Sequence, residues 1–186
     1  MGWAIGGGAI NVLISFISVQ VFGVGSKGLG LLYASLGAGI IMGSLTTGRF
    51  FKRNLERMQA TMGLTFVLDA LFQILFVNSP TFIGAVIALA GAGYAGALSS
   101  AMEMTIIASL TPTEIQGRVF SVSGTLSSTI LGVSMMLAGL LTSRIGPQYV
   151  GNLGAIIICG SGLLYTLIYR LNKRKAVNAI GVSAKF

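Results

Sequence analysis

Charged side chains interrupt this chain so rarely that their absence, more than any amphipathic period, is its dominant pattern. No Asp, Glu, Lys or Arg occurs in residues 1–26, 28–48, 70–102, 119–143 or 145–169. A helix of about 20 apolar residues crosses the hydrocarbon core of a bilayer. The pattern predicts six transmembrane helices, over about residues 3–22, 29–48, 58–78, 82–110, 119–142 and 148–169, with a basic tail over 170–186. Pro80, Pro112 and Pro147 all fall in the predicted connections, where a missing backbone N–H breaks no helical ladder. The expected fold is an all-α integral membrane domain.

Composition supports that reading. Charged residues make up 9% of the 186 residues and hydrophobic ones 54%, against roughly 25% charged in a typical soluble domain. The net charge of +8 would suggest nucleic acid in a soluble protein. Here the basic residues lie between or after the apolar spans, without the aromatic interleaving of a nucleic-acid groove, and no nucleic-acid partner is expected. Their sidedness is informative instead. Arg49, Lys52, Arg53, Arg57, Arg118, Arg170, Lys173, Arg174, Lys175 and Lys185 fall on one side and only Lys27 and Arg144 on the other. The positive-inside rule then makes both termini cytoplasmic. With no His and the single Cys159, neither an internal disulfide nor a His/Cys metal site is available, and no cofactor is expected. The first basic residue is Lys27, so the N-terminus does not read as a cleaved signal peptide.

The stretch "GAGYAG" places Gly91, Gly93 and Gly96 in a G-x-G-x-x-G spacing, with Glu114 near the position of a ribose-binding acid. A dinucleotide site needs this spacing between a strand and a helix. Here it lies inside a predicted span, where small residues let helix backbones approach closely. Gly39 and Gly43 form a G-x-x-x-G with the same meaning.

In "TPTEIQGRVFSVSG", Thr111 is expected to cap a helix with Pro112 first in it, Glu114 reaching back, and Glu114 and Arg118 pairing one turn apart. The same segment, followed by a small-residue helix ending "LAGLL", resembles the stretch between the tenth and eleventh helices of major facilitator transporters, with the macrolide-efflux-like drug exporters as the closest-looking branch. "SLTTGRFFKR" is similar to the family's degenerate loop motif, with Arg49, Lys52 and Arg53 at its basic positions and Ser44, Gly48 and Phe51 departing from it. Leu131 stands where that branch often has proline. The resemblance implies one six-helix bundle, the second half of a twelve-helix fold, built as two inverted three-helix repeats. Because Met1 opens almost directly into a span, a fragment, truncated product or half-transporter is expected, completed by a missing N-terminal half or a homodimer partner.

Polar residues inside the spans are the candidate site. Thr61, Thr65, Asp69 and Gln73 recur every four residues of span three and share one face. Intramembrane ionisable residues are costly and tend to be functional, so Asp69 is a candidate proton or cationic-substrate site with Gln73 beside it. Asn11, Ser15 and Ser18 form a similar face on span one, which by the resemblance lines the central cavity. The resemblance also makes Glu103 a gating acid, with Arg49 and Arg118 as its partners. Phe66, Phe72 and Phe76 read as lipid-facing side chains, or else as the wall of a drug pocket.

The function expected is secondary active, exporter-like transport of a drug or other small molecule by alternating access, proton-coupled, in a bacterial inner membrane. The second reading is a non-transporting membrane subunit or an inactive transporter remnant. No Walker A motif, carboxylate pair or nucleophile–base spacing supports an ATP-driven exporter or an enzyme.

Overall fold

A computed structural model of the chain describes residues 2–50 and 55–183, with side chains over 4–49 and 55–171. Phe51, Lys52 and Arg53 of the loop motif therefore lie outside the described residues. So do the side chains of the basic tail from Lys173 onward. The helices are α1 (Gly2–Phe16), which continues into a π-helical turn over Ile17–Val21, α2 (Gly25–Phe50), α3 (Leu55–Val77), α4 (Phe82–Leu110), α5 (Thr113–Ile145) and α6 (Pro147–Ser183). All six are long and apolar enough to cross a membrane.

Helix ends follow local chemistry. Thr81 caps α4 by accepting from the Gly84 N–H at 3.2 Å. Pro147 opens α6, and one residue, Gly146, turns the chain out of α5 at φ +89° and ψ 157°, a conformation essentially restricted to glycine. The α4–α5 connection departs from the expected cap. Thr111 precedes a proline and is held extended, at φ −107° and ψ 127°. Pro112 therefore takes the cap position without any side-chain bond. Gln116 serves the end of α4 instead, donating from Nε2 to the Ala108 carbonyl at 2.9 Å and the Thr111 carbonyl at 3.0 Å. Glu114 and Arg118 are both exposed, and among the described residues they form no ion pair. Helix α5 thus begins six residues before the expected start of its span at 119, and α6 remains helical to Ser183, through most of the expected tail.

The bundle is woven from two halves. Helix α2 packs along α4 and α1 along α5; α3 packs along α4 and α1 along α6; α3 and α6 meet each other. Exchanging α1, α2, α3 for α4, α5, α6 leaves this set of pairings unchanged. Because each half contains an odd number of crossings, the second enters the membrane from the opposite side. That is the arrangement of an inverted three-helix repeat.

Small residues set the distance between neighbours. A Cβ on Gly39 would lie 2.0 Å from the Ala90 carbonyl oxygen, and one on Gly93 would lie 2.4 Å from that of Leu36. The expected close approach of the G-x-x-x-G segment is therefore made, by α2 against α4. Gly63 and Gly162 bring α3 and α6 together in the same way. One core cluster joins Leu13 and Ile14 of α1 and Ile17 of the π-helical turn to Leu32, Phe76 and Leu89. A second joins Met62 and Phe66 of α3 to Met102 and Ile158. Phe66 and Phe76 are thus core residues, and Phe72 packs its ring over Gly91, so the expectation of a lipid-facing phenylalanine stripe does not hold. Sequence periodicity alone cannot tell a lipid-facing apolar residue from a core one, since both surroundings are apolar.

Candidate functional site

The polar face of α3 divides on inspection. Thr61 and Thr65 return their hydroxyl protons to their own helix, at the carbonyls of Arg57 (2.7 Å) and Met62 (2.7 Å). Such bonds satisfy a hydroxyl without any partner helix. Asp69 and Gln73 behave differently. They are 1% and 3% exposed, and Gln73 Nε2 donates to Asp69 Oδ1 at 3.0 Å. This bond directs the amide nitrogen of Gln73 at Asp69 and turns the amide oxygen away. Asp69 Oδ2 and Gln73 Oε1 are buried without a hydrogen-bond partner.

Both side chains border a cavity of about 510 Å³ enclosed by α1, α2, α3 and α4. Ile10, Ile14 and Leu89 supply an apolar floor near the pair, while Ile40, Ser44, Ser100 and Met104 are exposed at its mouth. That mouth opens toward the ends of α2 and α4 that carry Arg49 and Leu110. Asp69 is the ionisable residue among those lining the cavity. The size lies within the range of small-molecule pockets, roughly 300–1,000 Å³, and the lining is similarly apolar with a few polar groups.

The other sequence candidates fall in different places. Asn11 borders the cavity and donates from Nδ2 to the Gly7 carbonyl at 2.9 Å. Ser15 is exposed and does not line it. Ser18, one turn further, is fully buried in the π-helical turn with its hydroxyl unpartnered. Glu103 points away from the cavity, into a crevice of about 290 Å³ with Met62, Phe66, Ile106, Ile107, Ser161 and Tyr165. Arg49 and Arg118 are exposed, and among the described residues neither pairs with Glu103.

Sequence reasoning missed the role of the small residues on α4. Ala92, Gly93, Gly96 and Ala97 border the cavity, while Gly93 also packs against α2. Their spacing of three and four residues was the available signal, but it marks close helix packing and a thin cavity wall alike.

A six-helix membrane bundle of inverted-repeat design, with a buried carboxyl–amide pair at the floor of an apolar cavity, is the architecture of a membrane carrier domain. The family profile described as Major Facilitator Superfamily matches residues 2–185, and the chain belongs to that family. It is similar to the "Enterobactin exporter EntS" of Salmonella paratyphi A and of Salmonella typhimurium, at 27% identity over 166 residues. The protein of the same name in Citrobacter koseri is 25% identical. Each alignment covers 86% of this chain but 38% of the relative, so the chain spans well under half the length of the curated relatives it matches. No solved structure matches it. Membership places the chain with membrane transporters rather than enzymes. The macrolide-efflux-like branch rests on the resemblance alone.

Proposed function

We propose that this chain is one bundle of a secondary active exporter, which takes up a small molecule from the cytoplasm through the α1–α4 cavity and releases it by alternating access, coupled to protons. The observation that carries the reading is the Asp69–Gln73 pair: two buried polar side chains, each with a bare oxygen, at the floor of a drug-sized cavity with otherwise apolar walls. The sidedness of the basic residues supports a mouth that faces the cytoplasm, the side from which an exporter loads. It also supports cytoplasmic termini and a bacterial inner-membrane location.

One bundle supplies one wall of such a pathway. Rocking of one bundle against another around a midplane site needs a second bundle, either an N-terminal half or a second copy of this chain. The relatives are named for enterobactin export, so enterobactin is the first substrate to test, followed by amphipathic drugs. The decisive assay is transport by the full-length protein in proteoliposomes, with and without a pH gradient. Asp69→Asn should abolish transport or remove its dependence on the gradient. Unchanged transport with unchanged pH dependence would refute the role of Asp69. An immunoblot of the mature polypeptide, followed by crosslinking, distinguishes a covalent second half from a homodimer.

A further inference from the structure

Helix α5 is the least buried of the six. It meets α6 only sparsely, and between them, over α1, lies a second recess of about 420 Å³. Val133, Leu137 and Leu141 of α5 and Leu153 and Ile157 of α6 line its sides, all five of them exposed. Its hydroxyls are already engaged. Thr129 Oγ1 donates to the Thr125 carbonyl at 2.9 Å and Ser134 Oγ to the Ile5 carbonyl. In contrast to the α1–α4 cavity, no charged residue lines it and it holds no bare buried side-chain polar atom. Hydrocarbon fills such a space without leaving any polar group unpaired.

Length and charge say which hydrocarbon. The recess runs along α5 from Thr129, the midpoint of the helix, to Leu141 near its end. That distance is about 18 Å at 1.5 Å per residue, and one leaflet of hydrocarbon is about 15 Å deep. Its contacts at Ile130, Val133, Leu137 and Leu141 recur every three or four residues. Arg144 continues that series, so it stands on the same face one turn further out. Helical side chains lean toward the N-terminus, which brings the Arg144 stem back over Leu141. Arg144 is exposed and, among the described residues, has no ion pair. Tyr149, exposed at the start of α6, is the kind of residue that sits at headgroup level. We propose that the α1–α5–α6 recess seats one acyl chain of an anionic diacyl phospholipid, such as phosphatidylglycerol, from the leaflet at the α5–α6 turn, with the lipid phosphate on Arg144. A partner helix fits less well. One about 10 Å across would displace roughly 1,400 Å³ over the same length, more than three times the recess, and its apolar face would leave Arg144 without an anion. The lipid seat does not depend on the reading of the α1–α4 cavity as a substrate site.

The test is photocrosslinking of the full-length protein in phosphatidylcholine nanodiscs. The probes are phosphatidylglycerol and phosphatidylcholine, each with a diazirine midway along one acyl chain, and the adducts are mapped by peptide mass spectrometry. The phosphatidylglycerol probe should label residues 129–141 more than residues 68–75, where Leu68, Leu71 and Leu75 are exposed on α3. It should also label residues 129–141 about fivefold more than the phosphatidylcholine probe does, as one basic residue beside an anionic lipid provides. Arg144→Gln should lower phosphatidylglycerol labelling there to the phosphatidylcholine level and leave α3 labelling unchanged. Leu137→Trp, which fills the recess, should remove the labelling by both probes. Arg144→Gln changes only an exposed side chain, so the test survives if the tryptophan variant fails to fold. Labelling of residues 129–141 no stronger than that of α3 would overturn the chain seat. Equal labelling by the two probes, or no effect of Arg144→Gln, would overturn the phosphate contact. Capture of a second polypeptide or bundle by benzoylphenylalanine placed at position 133, without lipid labelling, would assign the recess to protein instead. None of these outcomes bears on Asp69, whose role the transport assay decides separately.

Discussion

Replacing Gly39 by alanine should separate α2 from α4. The built Cβ would lie 2.0 Å from the Ala90 carbonyl oxygen and 2.9 Å from the Tyr94 nitrogen. Both are backbone atoms of α4, so no side chain can rotate away to make room. Ordinary contact begins at 3.4 Å, so the helices must part locally by about 1.4 Å. The α2–α4 interface is the most extensive in the bundle, and parting it loosens packing along its length. Overpacking of this kind costs about 1–3 kcal/mol. Alanine returns about 0.5–1 kcal/mol through its better helix propensity. A net loss of up to about 2.5 kcal/mol is expected from these two terms. Gly43→Ala should behave alike, since its Cβ would meet the Tyr94 carbonyl at 2.4 Å. Gly37 and Gly48 lie on the same helix with nothing within 4 Å. Alanine at either should be neutral, or stabilising by up to about 1 kcal/mol. Reversible denaturant unfolding in mixed micelles, followed by circular dichroism, measures all four. A Gly39→Ala protein as stable as its parent, or a Gly37→Ala protein that loses as much, would refute the close-approach argument.

Three further outcomes follow from the geometry. Gly146→Ala should destabilise by about 1–3 kcal/mol in the same assay, because φ +89° with ψ 157° is strained for any residue with a Cβ. Asn78 Nδ2 donates to Asn152 Oδ1 at 2.8 Å between α3 and α6; a double-mutant cycle to leucine should give a coupling near 0.6 kcal/mol, the average for such bonds in membrane helices, and a coupling near zero would mean the bond contributes nothing. For gating, exchange of charge at Glu103 and Arg118 together should recover the transport that each single reversal loses; since the two are unpaired in this conformation, failure of the rescue would remove Arg118 as the partner in any other.

Asp69 and Gln73 were legible in the sequence because charge and amide groups stand out inside an apolar span and their spacing places them on one helix face. Their burial, and the bare oxygens that result, were not. Neither was the difference between them and Thr61 or Thr65, which share that face but bond to their own backbone. Asn11 and Ser15 illustrate the limit of helical spacing. Both were assigned to one face of α1, yet Asn11 borders the cavity and Ser15 is exposed. They lie a full turn apart, and at the level of Ser15 the cavity wall on α1 has passed to Ile14. Glu103 shows the same limit between helices, since no spacing along α4 says whether α3 and α6 or the α4–α5 loop will face it.

The number of crossings, their approximate bounds and the positive side of the chain were determined by the sequence itself, because burying charge in hydrocarbon is costly enough to be read residue by residue. Which apolar face meets a helix, a cavity or lipid was decided only by the tertiary structure. Lipid and protein core are equally apolar, so transfer from water drives none of that choice. It is made by shape instead: glycines that admit a neighbouring backbone, as between α2 and α4, and the space left among α1 to α4 where no side chain fills the bundle.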